Sequence, residues 1–218
     1  MDLLAAGRFL QELVLPDDCV GCSRVGPSLC PTCRSQLEPA PASRTAGGVR
    51  IASALDYDGV AARVVVAYKN EGRTALASAL APALRAAVGE ALCGTTREDV
   101  VLVPMPRSRR SAVERGYDPV RLLLRRARLP RRDLLRAVRR PQDQLRLGRA
   151  ARYDNLAGAF AAVPRAHGLR VLLVDDVVTT GATLAEAARA VTAAGGMVLG
   201  AATLASTPVP SVAHRSTR

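Results

Sequence analysis

The run Val171-Leu-Leu-Val-Asp-Asp-Val-Val-Thr-Thr-Gly-Ala-Thr183 constrains the fold more than any other part of this 218-residue chain. Four consecutive apolar residues, 171–174, read as a strand buried on both faces. They deliver two adjacent carboxylates to the strand's carboxyl end, where ligands of open α/β sheets bind. A small hydroxylated loop follows and opens a helix expected over 183–194, closed by Gly195-Gly196. Amides at a helix start, hydroxyl donors and a glycine that permits close approach make a phosphate cradle. Carboxylates beside a phosphate would repel it unless they face something else, and ribose hydroxyls with a Mg²⁺ ion are the obvious candidates. On this reading Asp175 and Asp176 hold the 2′- and 3′-hydroxyls. Thr179, Thr180, Gly181, Ala182 and Thr183 hold a 5′-phosphate.

The remaining pattern agrees with an α/β chain. Apolar runs at 49–55, 100–103 and 197–204 read as strands; 59–67, 74–92 and 119–127 read as helices. Strands alternating with helices predict a mainly parallel sheet with flanking helices. Ahead of these elements, Leu3, Leu4, Leu10, Leu13 and Val14 mark one stripe of a short helix ending before Pro16. The Pro/Gly/Ser-bearing stretch 38–48 reads as a linker, and the last dozen residues as a frayed tail. The opening Met1-Asp2-Leu3-Leu4 has no basic n-region, and the apolar stretch 75–92 is interrupted by Arg85 and Glu90. A cytoplasmic protein that is not integral to a membrane is therefore expected.

Four of the five cysteines fall in Cys19-Val-Gly-Cys22 and Cys30-Pro-Thr-Cys33. Two such pairs are the knuckles of a zinc ribbon, each turn aiming two thiolates at one tetrahedral ion. Gly21 suits the turn, and four sulfur ligands leave no open position, so the zinc is structural. A disulfide framework would need an oxidising compartment. Cys93, near the end of a helix, reads as an inert small apolar residue.

The formal charge is +12, and it is localised. Between Arg107 and Arg152 there are 16 arginines against four acidic residues, while the rest of the chain balances at 15 basic and 15 acidic. An otherwise neutral protein with one cationic segment points to phosphate-rich small molecules or nucleic acid. Lys69 is the only lysine among the 31 basic residues. Aromatics are only 3% of the chain, which disfavours single-strand binding by base stacking but leaves phosphate contacts through arginine.

The run 171–183 matches the 5-phosphoribosyl-1-pyrophosphate (PRPP) signature of type I phosphoribosyltransferases. With the double-CxxC ribbon ahead of it, the chain resembles the ComF family of bacterial DNA uptake. Further segments carry the resemblance in order: Leu15-Pro16, Tyr57-Asp-Gly59, Tyr68-Lys69 with Gly72, Val103-Pro-Met-Pro106, Arg109, Arg115-Gly-Tyr117, then Gln144, Leu147, Arg152, Asn155 and Phe160. It implies a type I phosphoribosyltransferase (Rossmann-like) domain over 46–205, a ribbon with its helix and linker over 1–45, and a disordered tail over 206–218. It also implies a pyrophosphate loop after Pro106, with Arg109 and Arg115 gripping diphosphate, and a flexible hood over about 128–155. Asp175, Asp176, Arg139 and Arg140 are the implied catalytic set. Lys69 is the family's lysine, with phosphate contact and structural pairing both open. Where the family reads Arg-Gly-Phe-Asn-Gln, this chain has Arg115-Gly-Tyr-Asp-Pro119; Asp118 and Pro119 suit a helix N-cap and first position.

The implied cofactors are structural Zn and Mg bound with PRPP. The implied partners are PRPP or a related ribose phosphate, single-stranded DNA, the DNA-uptake ATPase and other competence proteins. Three functions stand open: an active phosphoribosyltransferase, a DNA-binding competence adaptor, and a non-catalytic PRPP sensor. A bare zinc-ribbon nucleic-acid binder leaves the 171–183 run unexplained.

Overall fold

The computed structural model describes residues 18–106, 116–138 and 156–208. The helix expected before Pro16, the arginine-rich loop and most of the tail lie outside these residues. So does the hood from 139 to 155.

The central sheet has five strands: β1 (Ala42–Ala46), β2 (Val49–Asp56), β3 (Val100–Pro104), β6 (Arg170–Val178) and β7 (Met197–Ser206). Their order is β1-β2-β7-β6-β3; the last four are parallel and β1 runs antiparallel on the outer edge. A separate two-stranded ladder pairs β4 (Leu135–Ala137) with β5 (Phe160–Ala162). The helices are α1 (Pro31–Ser35), α2 (Gly59–Asn70), α3 (Ala77–Ala91), α4 (Pro119–Arg126) and α5 (Ala182–Ala193). None of the described helices is long and apolar enough to cross a membrane.

The period-2 alternation of strands sorts the core into two layers. Leu172, Val174, Ala202 and Leu204 face one side and pack with α2, α3 and α4. Val171, Leu173 and Ala201 face the other and pack with Leu184, Ala187 and Val191 of α5. Burial on both sides is why these strands read as continuous apolar runs.

Two expectations need revision. The stretch 38–48 is not a bare linker, because it supplies β1 and a tight turn. Gly47 and Gly48 have φ of +59° and +76°, the backbone that a two-residue hairpin requires at both central positions. Part of the expected hood is also packed: Leu134 and Leu135 are buried with Phe160 against the α5 layer, because they are the apolar pair in an otherwise arginine-rich stretch.

The cysteine module shares the core of the larger unit. Cys19, Leu29, Cys33 and Leu37 belong to the same buried cluster as Val60 and Val64 of α2. Arg63 Nε of α2 donates to Gly21 O at 2.8 Å. Cys93 lies just beyond α3, at the helix end as expected, and is exposed.

Candidate functional site

The four Sγ atoms of Cys19, Cys22, Cys30 and Cys33 all lie within 4.8 Å of one another. The Cys22–Cys30 pair is 3.9 Å apart, close to the edge of about 3.8 Å that a tetrahedral ion with ~2.3 Å bonds to sulfur needs. The first knuckle is closed by the Cys22 and Ser23 amides, both donating to Cys19 O. The Cys30 amide donates to Cys19 Sγ at 3.3 Å and holds that thiol down to about 6. Burial pushes the Cys33 thiol the other way, up to about 12. A cluster split in this way releases its protons together only when a cation compensates the thiolates. Gly21 turns out to serve packing: a Cβ there would sit 2.6 Å from Cys33 Sγ. The four cysteines fit zinc.

The second site lies at the carboxyl ends of the parallel strands. β6 runs four residues beyond the expected apolar run, because its ladder with β7 continues to Val178↔Ser206. Asp175 and Asp176 therefore sit inside the strand, and the pleat sends their side chains to opposite faces. Asp176 lies on the α2 side, with its side chain only 6% exposed. Lys69 Nζ, in the last turn of α2, is 2.8 Å from its Oδ2 and 3.0 Å from its Oδ1. The Val177 amide also donates to Asp176 Oδ1 at 2.8 Å. Asp175 is less buried, and its Oδ1 accepts the Asp176 amide at 2.9 Å. In register beside it on the α5 side are Thr203 and then Ser53, buried and joined hydroxyl to hydroxyl at 2.7 Å.

Past Val178 the chain turns through Thr179 and Thr180 into Gly181, the N-cap of α5, at φ +78°. The Ala182 amide donates to Thr180 Oγ1 at 3.4 Å, and Ala185 N to Gly181 O begins the helix. Only a glycine fits here, since a Cβ would lie 2.8 Å from Ala46 Cβ, on top of an unfavourable left-handed backbone. Ala182 and Thr183 occupy the first two helical positions, where amides lack intrahelical acceptors. The loop thus has the donors of an anion cradle with carboxylates one strand-end away. The same carboxylates are the hard oxygen donors that suit Mg²⁺.

The neighbouring contacts explain the departures at 117–119. The Tyr117 hydroxyl donates to Tyr68 O, and the Tyr68 hydroxyl donates to Pro119 O at 2.6 Å. Asp118 Oδ1 caps α4 by accepting the Arg121 amide at 3.0 Å. This clamp fixes the end of α2, and with it Lys69, to the start of α4. On α5, Glu186 accepts the Gly158 amide at 2.8 Å and pairs with Arg189 at 2.7 Å, tying residue 158 to the helix behind the loop.

The structure thus brings Lys69, Asp175, Asp176, Thr179, Thr180, Gly181, Ala182 and Thr183 to one end of the sheet. Cys19, Cys22, Cys30 and Cys33 gather separately. Arg109, Arg115, Arg139 and Arg140 lie outside the described residues. One neighbour of the loop went unread in the sequence: Arg44 of β1, whose Nη2 donates to Thr179 O at 2.8 Å. The Gly-Gly hairpin signal after Ala46 would have placed it on a strand.

Residues 112–217 match the family model described as phosphoribosyl transferase domain. Comparison with curated proteins finds no match. Among solved structures, the adenine phosphoribosyltransferase of Rhodothermus marinus is similar at 19% identity, over 80% of this chain and 86% of that one, with a TM-score of 0.33. The family match, taken with the mainly parallel sheet, gives a type I phosphoribosyltransferase fold preceded by a four-cysteine cluster.

Proposed function

We propose that the protein binds PRPP or a related ribose 5-phosphate, with Mg²⁺, at the carboxyl end of β6, and can transfer the phosphoribosyl group to a nitrogen nucleophile. The observation that carries this reading is the continuous path from Asp175 and Asp176 through Thr179, Thr180 and the left-handed Gly181 into α5. The loop takes the 5′-phosphate and the carboxylates take the ribose hydroxyls. A bound Mg²⁺ would neutralise diphosphate charge. In the transfer, a bond forms between the nucleophile's nitrogen and ribose C1, and the C1–O bond breaks. Pyrophosphate leaves with the electron pair, and the nitrogen loses its proton to solvent. Arg109, Arg115, Arg139 and Arg140 are proposed to steady the departing charge. Calorimetric titration of Mg-PRPP into the wild type and the Asp175→Asn/Asp176→Asn variant tests the reading. Heat in the wild type and its loss in the variant are expected; no heat in the wild type overturns it.

The finer role proposed is that of a ComF-type, cytoplasmic protein of DNA uptake, working with single-stranded DNA and the uptake ATPase. Its support is the ribbon-plus-domain order and an arginine surface. Arg125, Arg126, Arg128, Arg131 and Arg132 are all exposed, and three of them line a cleft of about 390 Å³ with Tyr117 and Arg121. Titration of labelled single-stranded DNA at several salt concentrations tests this, with the slope counting phosphate contacts. Binding of PRPP without turnover across a panel of amines and bases would favour a sensor or adaptor over an enzyme.

A further inference from the structure

We infer that Arg44 is a phosphate-binding residue of this site, supplying the positive charge that the loop itself lacks. The inference rests on the ribose-phosphate reading above and adds a residue that neither the 171–183 run nor the matched segment 112–217 contains.

The need for a cation follows from the charges around the loop. Residues 179–183 offer amides and hydroxyls, all uncharged. The strand that leads into the loop carries Asp175 and Asp176, and the charge of Lys69 is held by Asp176. A phosphate ester brings about −1.5 to −2 more near neutral pH. Neutral donors beside a carboxylate pair leave such a ligand under-compensated.

Arg44 is the cation that the described structure bonds to this loop. Its Nη2 is tethered to Thr179 O at 2.8 Å, leaving four of the guanidinium's five N–H donors for other partners. Its Nε is enclosed and has no hydrogen-bond partner. A ligand is therefore met by the remaining Nη N–H groups, on the side of the guanidinium that is bonded to the loop. The tether is set by rigid neighbours. Ser43 Oγ donates to Glu90 Oε1 of α3 at 2.9 Å, and Arg50 Nη2 donates to Ser43 Oγ at 3.1 Å and to Glu90 Oε1 at 3.2 Å, so the hairpin is pinned behind Arg44. Ala46, two residues on, packs against Gly181. The hairpin therefore forms one wall of the cradle, with the guanidinium at its rim.

The test measures binding of ribose 5-phosphate and of inorganic pyrophosphate, each with Mg²⁺, to the full chain and to Arg44→Met and Arg44→Lys. Arg44→Met is expected to bind ribose 5-phosphate about 10- to 100-fold more weakly, the span of one charge-assisted contact. Pyrophosphate affinity should change less than 3-fold, and Arg44→Lys should recover part of the loss. Equal weakening toward both ligands would make Arg44 a brace for the fold and overturn the inference, as would unchanged ribose 5-phosphate affinity in Arg44→Met. If the wild type binds no ribose 5-phosphate, the reading of the site itself falls, and the inference with it.

Discussion

Replacing Lys69 with methionine keeps the length of the side chain and removes the charge that faces Asp176. The Asp176 carboxylate is 6% exposed and the Lys69 side chain 30%, so the pair is buried on one side and wet on the other. Stripping one partner from a fully buried pair costs about 3–5 kcal/mol. Water reaching the lysine end, and the retained Val177 amide, reduce this to about 2 kcal/mol. For a chain of this size that corresponds to a fall of about 4–8 °C in Tm. Net charge works in the opposite direction: removing one cation from a protein at +12 relieves self-repulsion, so a loss cannot be assigned to global charge. Thermal and urea unfolding at neutral pH, with and without added salt, would measure it. The double variant Lys69→Met/Asp176→Asn should regain roughly half the loss or more, because the stranded charge is gone. A Lys69→Met protein melting within about 1 °C of the wild type, or a double variant as destabilised as the sum of the singles, would refute a coupled ion pair.

Gly181→Ala should lower stability by about 1–2 kcal/mol from the left-handed backbone alone, with more from the contact at Ala46, and should abolish ribose-phosphate binding; melting and calorimetry check both. The purified protein should carry one zinc per chain by elemental analysis, and Gly21→Ala should lose it, since its methyl would occupy the space of Cys33 Sγ. The Arg189 guanidinium, hydrogen-bonded to Glu186, lowers the carboxyl pKa below 4.5. The contribution of this group is therefore present above 4.5 and lost as pH falls through the lower, folded value. Glu186→Gln should be less stable than the wild type at pH 7, and the gap should narrow on acidification below pH 4.5 in a pH series of melts.

The central strands and helices were legible because burial on two faces writes unbroken apolar runs, and because Asp118-Pro119 and Gly195-Gly196 mark helix ends in local chemistry. The strand, turn and helix start at 171–183 were legible for the same reason: the apolar run, the glycine and the hydroxyls are contiguous. What escaped was non-local. That β6 runs on through its aspartates depends on β7 pairing beside them, and the bond between Lys69 and Asp176 joins residues 107 positions apart. Neither leaves a periodic trace. Arg44 was missed differently: β1 is an edge strand of mostly exposed small residues, so it lacks the apolar alternation that marks a strand, and only its Gly-Gly turn gives it away.

The cysteine module's place in the core bears on how such a chain could have been assembled. A portable module brings its own interior and can be cut out, duplicated or exchanged. This one presses Cys19, Leu29, Cys33 and Leu37 into the interior of its neighbour, and its backbone is held by Arg63. Excision would open an apolar wound along α2. If the cut also removed β1, it would bare the edge of β2, an invitation to aggregate. The two parts are thus bound to a shared history: substitutions in the first turns of α2 must suit the cysteine knuckle, while those in its last turn must keep Lys69 beside Asp176.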